Sequence, residues 1–163
     1  MTGANQPSVL VVGVGNRDRG DDGLGPAVVQ RLRGRVSSTV RILERSGDAL
    51  ALIEDWGGFP FVIVVDAVAA ISQPGRVHRL NLTDSPLPID FAPRSSHAFG
   101  LAETIELARS LYRLPQCLVA YLVEGERFAA GATMSLAVAD AVEGVAEGVV
   151  VELSAILGAK GSA

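Results

Sequence analysis

The sequence predicts a single-domain α/β fold, a mostly parallel twisted sheet covered by helices on both faces. Three observations carry this. Short apolar, β-branched runs alternate along the chain with segments of helical periodicity. The central runs, Val9–Val14, Phe61–Val65 and Cys117–Val123, lack the polar alternation of a strand with one wet face, so both of their faces must be covered. The chain has 163 residues, 48% of them hydrophobic, which suffices for one sizeable core. A second domain would need about 100–150 residues of its own. The expected layout is a flexible N-terminus over 1–7, one domain over 8–158 and a flexible C-terminus over 159–163.

Taken in order, Ser8 to Val14 reads as a buried strand, too β-branched for a favoured helix. Gly23 to Arg33 follows with Leu24, Ala27, Val28 and Leu32 at helical spacing, and Pro26 falls in the first turn, where a missing N–H costs nothing. Val40 to Leu43 is a short second strand. Asp48 is placed to cap a helix over 49–56 that stops at Gly57-Gly58. Phe61 to Val65 is the next buried strand, ending on Asp66. Arg76 to Leu82, entered by the Pro74-Gly75 turn, reads as an edge strand exposed on one side.

Between Asn81 and Ser96, Pro86, Pro88 and Pro93 forbid regular helix or central strand. A loop of this length in a compact domain tends to be functional. Ser95 or Ser96 can cap the following helix, with Leu101, Ile105, Ala108 and Leu111 as its buried stripe. Cys117 to Val123 is the last strand. The final helix starts near Ser135 and puts Val138, Val142, Val145, Val149, Leu153 and Ile156 on one face. Gly144 and Gly148 weaken it by roughly 1 kcal/mol each relative to Ala.

Charge and composition exclude several functions. The net charge is −4 with the basic residues scattered, which disfavours nucleic acid and anionic membrane as partners. Aromatic residues make up 5%, too few for a base-stacking platform. The single cysteine, Cys117, cannot form an intrachain disulfide and reads as a buried structural thiol. The opening MTGANQPS lacks the features of a secretory signal, so a cytoplasmic location is expected. No window offers the roughly 20 uninterrupted apolar residues of a membrane span.

Three chemically capable residues fall at equivalent places in the alternation: Asp22 after the first strand, Asp66 at the end of the third and His97 just before a helix. In a parallel sheet all three lie at the carboxyl edge, where ligands bind in open α/β folds. Two carboxylates and one imidazole suit a divalent transition ion and leave positions open for water or substrate. The positive end of the following helix would keep the His97 ring neutral.

Plainer roles exist for each residue. Asp21 or Asp22 can cap the helix at Gly23, Asp66 can satisfy loop N–H groups, and His97 can be a solvated loop residue. His78, between Arg76 and Arg79 in the edge strand, reads as a structural residue. A nucleotide site is disfavoured: Gly13-x-Gly15 begins the dinucleotide fingerprint, but the third glycine would fall at Asp18, where acid would repel pyrophosphate. No GxxxxGK[ST] occurs.

The run GVGNRDRGDDGLGPAVV, the VVDAV around Asp66 and the SSHAFGLAE around His97 together resemble the three signature blocks of the hydrogenase maturation endopeptidases. That family clips a C-terminal extension from the large subunit of nickel–iron hydrogenases, and the resemblance runs from Val9 to the last helix. It implies a single-domain, three-layer α/β/α cytoplasmic peptidase whose catalytic and metal-facing residues are Asp22, Asp66 and His97. The metal is nickel supplied by the substrate, the [NiFe] hydrogenase large-subunit precursor. The resemblance implies no nucleotide or flavin, and a monomer is expected.

Two departures from the family pattern stand out. The first acid is often Glu, and here it is Asp22, one methylene shorter, with Asp21 as a neighbour that could substitute. Val123-Glu124-Gly125-Glu126 stands where relatives tend to have a Gly-x-x-Pro-like turn. Other classes that fit the same crevice are a metal-dependent maturation chaperone that grips without cutting and a flavodoxin-like small-molecule domain.

Overall fold

The computed structural model describes residues 7–91 and 100–160. Five strands form one sheet in the order β2-β1-β3-β5-β4. The strands are β1 (Val9–Val14), β2 (Val40–Arg45), β3 (Phe61–Ala69), β4 (Val77–Asn81) and β5 (Cys117–Gly125). Neighbouring pairs are parallel except the last, in which β4 runs antiparallel to β5. The helices are α1 (Leu24–Leu32), α2 (Ala49–Trp56), α3 (Leu101–Ser110) and α4 (Leu136–Lys160).

The buried residues form two cores, one on each face of the sheet. Val9, Val11, Ile63, Val65, Val119 and Val123 pack under α1 and α4, whose contribution includes Leu24, Val28, Val138 and Val149. The intervening positions, Leu10, Val12, Val62, Val64, Leu118 and Leu122, pack under α2 and α3 against Leu52, Trp56 and Ile105. Strands with apolar side chains at every position therefore become the middle layer of a three-layer α/β/α sandwich. β4 alternates exposed and half-buried positions, as an edge strand should.

Most local signals act as the sequence implies. Asp48 caps α2, its Oδ1 accepting from the Ala51 N–H at 3.1 Å. Gly148 is more than a weak spot in α4: the Tyr121 ring lies where a Cβ would stand, 3.3 Å from it, so the small residue lets strand and helix approach. Cys117 is half-buried, packed at the margin of the core rather than within it.

Three expectations need correction. β3 does not stop at Val65 but runs to Ala69, because β5 continues to pair with it as far as Ala69↔Gly125. Helix α3 is capped by Gly100, not by Ser95 or Ser96, which lie outside the described residues. Leu111 falls beyond the end of α3 and is 49% exposed, so the buried face of that helix is Thr104, Ile105 and Ala108. The described part of the proline-bearing segment includes a short 3-10 turn, Ile89–Phe91.

Candidate active site

The chain leaves β1 for β2 on one side of the sheet and returns to β3 on the other, so the gap between the carboxyl ends of β1 and β3 is a topological switch point. Glycines bring α1 down onto this gap. A Cβ at Gly25 would lie 2.3 Å from the Val14 carbonyl oxygen and 2.7 Å from that of Val65. One at Gly13 would lie 2.3 Å from the Gly25 oxygen. No side chain fits at either position, and the turn before α1 is held directly over the strand ends.

That turn is organised by Gly15 and Asn16. Gly15 has φ 138°, and a Cβ there would sit 1.8 Å from the Asp22 carbonyl oxygen, so the loop closes on itself only with glycine. The Asn16 side chain accepts from the Asp18 N–H at 2.8 Å, and the Asn16 N–H donates to Asp22 Oδ2 at 2.9 Å. The Asp22 carboxylate is thereby aimed by backbone, in a 3-10 turn, Gly20–Gly23, that leads into α1.

Asp66 comes from the other side of the gap. β1 and β3 pair as far as Gly13↔Val65, so Asp66, level with the last β1 residue Val14, is the first residue of β3 past the paired stretch. Its Oδ1 accepts from the Ala67 N–H at 2.8 Å. Burial, joined by the field of the Asp22 carboxylate, pushes its pKa well above the usual carboxylate range, and the Ala67 hydrogen bond offsets this only in part. Two carboxyl groups in this relation favour either a shared proton or a cation between them. The arrangement can therefore hold and pass on a proton or face a metal ion, and its donor set of hard oxygens suits a divalent cation.

Comparison with known proteins identifies the family. A family model described as hydrogenase maturation protease matches residues 26–152. The chain belongs to the hydrogenase maturation protease family. Among curated relatives, the hydrogenase expression/formation protein HupD of Thiocapsa roseopersicina is 28% identical over 117 residues, 71% of this chain and 53% of its own length. HupD of Bradyrhizobium diazoefficiens is 30% identical over 120 residues, covering 72% of this chain and 62% of its own. The chain thus spans about half to three fifths of the curated relatives it matches.

Solved structures agree on the fold. The hydrogenase maturating endopeptidase HybD from E. coli superposes with a TM-score of 0.76 at 27% identity, over 89% of this chain and 91% of that one. A hydrogenase 2 maturation peptidase from a Thaumarchaeota archaeon gives 0.66 at 28% identity, over 89% and 97%.

The two adjacent acids have different surroundings. Asp21 is fully buried, and its carboxylate accepts from the N–H groups of Ser135 (2.7 Å), Glu126 (2.8 Å) and Arg127 (2.9 Å) and from the Ser135 hydroxyl (3.1 Å). Burial would raise its pKa, but these donors outweigh burial and hold it below the ordinary value. The Asp21 carboxylate is therefore taken up in tying the β5–α4 connection to the β1–α1 turn. Sequence could not separate the two, because the partners lie more than a hundred residues away.

Glu124 has a parallel role. It is fully buried at the end of β5 and accepts from the N–H groups of Ile71, Ser72 and Gln73 and from the Ser72 hydroxyl. The unusual Val123-Glu124-Gly125-Glu126 segment thus fastens the β3–β4 connection.

His97 lies outside the described residues. The end of α3 is fixed at the amino edge of the sheet, where the Arg109 guanidinium donates to the carbonyls of Leu82, Thr83 and Ser85, so its first turn, beginning at Leu101, points back toward the carboxyl edge. His78 stands in register with Leu122 and, through it, with Asp66. Two strand spacings, about 10 Å, separate it from Asp66. Its ring packs edge-on against Phe91 at 4.9 Å, apart from the carboxyl pair. Among the described residues no three His, Cys, Asp or Glu side chains form a metal-holding group. Likewise no helix among them is long and apolar enough to cross a membrane.

Proposed function

We propose that this protein is an endopeptidase that removes the C-terminal extension from a nickel-loaded [NiFe] hydrogenase large-subunit precursor, using Asp22, Asp66 and His97 to meet the cargo metal. The observation that carries the reading is the Asp22–Asp66 pair at the β1/β3 switch point, in a chain of the maturation protease family. The two solved structures compared above are named an endopeptidase and a peptidase, which supports cutting over gripping.

Chemically, hydrolysis needs a water proton accepted and an amine leaving group protonated. Asp22, aimed by the Asn16 N–H, takes a proton from the attacking water. Asp66 holds a proton more tightly than an ordinary carboxylic acid and can pass it to the departing nitrogen. In the precursor complex, the nickel cargo gives the paired carboxyl groups a cation to face, so an empty precursor docks poorly and specificity resides in the cargo. His97 completes the set from the segment preceding α3. On this reading the protein works in the cytoplasm as a single chain.

The test is mass spectrometry of a metallated and a metal-free precursor before and after incubation with the protein. Shortening of the metallated precursor alone is the expected result. A client that is bound but never shortened would turn the reading into that of a chaperone.

A further inference from the structure

β3 outruns β1, and the part that projects is an open sheet edge beside the carboxyl pair. The Ala70 N–H donates to the Gly125 carbonyl, so even-numbered residues of this stretch turn their main-chain groups toward β5. The alternation of a strand then turns those of Ala67 and Ala69 to the other side, where β1 would be had it continued past Val14. The Ala67 N–H is taken by Asp66 Oδ1. Among the described residues nothing pairs with the Ala67 carbonyl or with the N–H and carbonyl of Ala69. Ala69 is exposed and Ala67 half-buried against the core, and neither carries more than a methyl group.

We propose that this edge binds the main chain of the substrate's extension as an added strand, filling the place that β1 vacates. The inference rests on the peptidase reading and deepens it. A residue of an extended peptide running parallel to β3 gives its N–H to the Ala67 carbonyl and its carbonyl to the Ala69 N–H; one running antiparallel pairs with both groups of Ala69. Asp66 sets where the added strand begins, because its own carboxyl occupies the Ala67 N–H that would otherwise extend the ladder. The scissile bond is thereby delivered to the carboxyl pair by backbone geometry. The occupant is extended polypeptide, recognised with little regard to its side chains, so the sequence of the extension can vary while its main chain is read.

The experiment compares the unmodified protein, Ala69→Pro and Ala69→Ser in cleavage of the nickel-loaded precursor. Proline deletes the Ala69 N–H at an edge position where strands tolerate it, whereas serine keeps it. Ala69→Pro should lower kcat/KM at least about tenfold, mostly through KM, and Ala69→Ser, which restores the N–H, should recover most of that loss. Equal cleavage by all three overturns strand pairing and leaves the peptidase reading intact.

Failure of the unmodified protein to shorten the precursor overturns the peptidase reading instead. Strand pairing is then judged on precursor binding, and equal binding by Ala69→Pro overturns it. Should Ala69→Pro fold poorly by circular dichroism, precursors carrying single N-methyl groups at successive amides of the extension decide. Losses at every second position are expected, and losses without that period overturn the proposal.

Discussion

Asp21 and Asp22 are neighbours of identical chemistry, and replacing each with Ala should produce opposite phenotypes. In Asp21→Ala, the Ser135, Glu126 and Arg127 N–H groups and the Ser135 hydroxyl lose their acceptor at a fully buried place. Four hydrogen bonds to a charged group contribute about 1.5–3 kcal/mol each, and the cost of burying the carboxylate offsets a large part of that sum. A net loss of about 4 kcal/mol remains, typical of removing one partner from a buried charged network. For a chain of this size that lowers Tm by about 8–16 °C.

Asp22 is only partly buried and its carboxylate serves the strand-end gap, so Asp22→Ala should leave Tm within about 2 °C, as substitutions outside packed cores and buried networks usually do. It should also abolish precursor processing. Thermal melts by circular dichroism, paired with mass spectrometry of the precursor, check both. A stable Asp21→Ala protein, or an Asp22→Ala protein that melts early and still cuts, would refute the division of labour.

Three further perturbations follow from the same geometry. Glu124 has its pKa pulled down to about 2, because four donors outweigh the effect of burial. With its folded value below its unfolded one, it contributes stability above the ordinary value of 4.5 that disappears as pH falls toward 2; the gap corresponds to about 3 kcal/mol, and urea melts should show this acid-side slope in the unmodified protein and lose it in Glu124→Gln. Asp66 has the opposite sign: its folded pKa is raised, so its ionisation costs stability as pH rises, and Asp66→Asn should be more stable than the unmodified protein at pH 8, equal to it near pH 3, and inactive on the precursor. A melt at pH 8 in which Asp66→Asn is the weaker protein contradicts the raised pKa. Gly15→Ala meets the Asp22 carbonyl oxygen at 1.8 Å and a φ of 138°, so it should cost more than about 2 kcal/mol and remove processing together, measured by urea melts beside the cleavage assay.

Much of this fold is legible in the sequence because its signals are local. An unbroken apolar run has to be a doubly covered strand, and Asp48 caps α2 through a residue three positions away. Features set by distant partners are less legible. The tail of β3, Asp66-Ala67-Val68-Ala69, looks like the start of a loop because an acid interrupts the apolar run. It is a strand because β5, some fifty residues later, is long enough to pair with it. The cap of α3 is misread for a related reason: serines near His97 have the right chemistry, but the helix begins only at Leu101, where Gly100 provides the turn.

The misread end of β3 bears directly on the candidate site. Had the strand stopped at Val65, level with the end of its pairing to β1, Asp66 would hang on a loop and its carboxyl would share the freedom of that loop. Held instead inside a strand that β5 supports on one side, Asp66 has a fixed backbone while its other side is open. Asp22 is fixed differently, by Gly15 and Asn16 below it and by the Asp21 tether beside it. Two like charges brought together repel, and a flexible loop would relieve the repulsion by moving. A pair locked by a strand on one side and a tethered turn on the other can relieve it only by taking up a proton or facing a cation. On the proposed reading, the rigidity around the pair is what would let an unfavourable contact respond to a metal-bearing substrate.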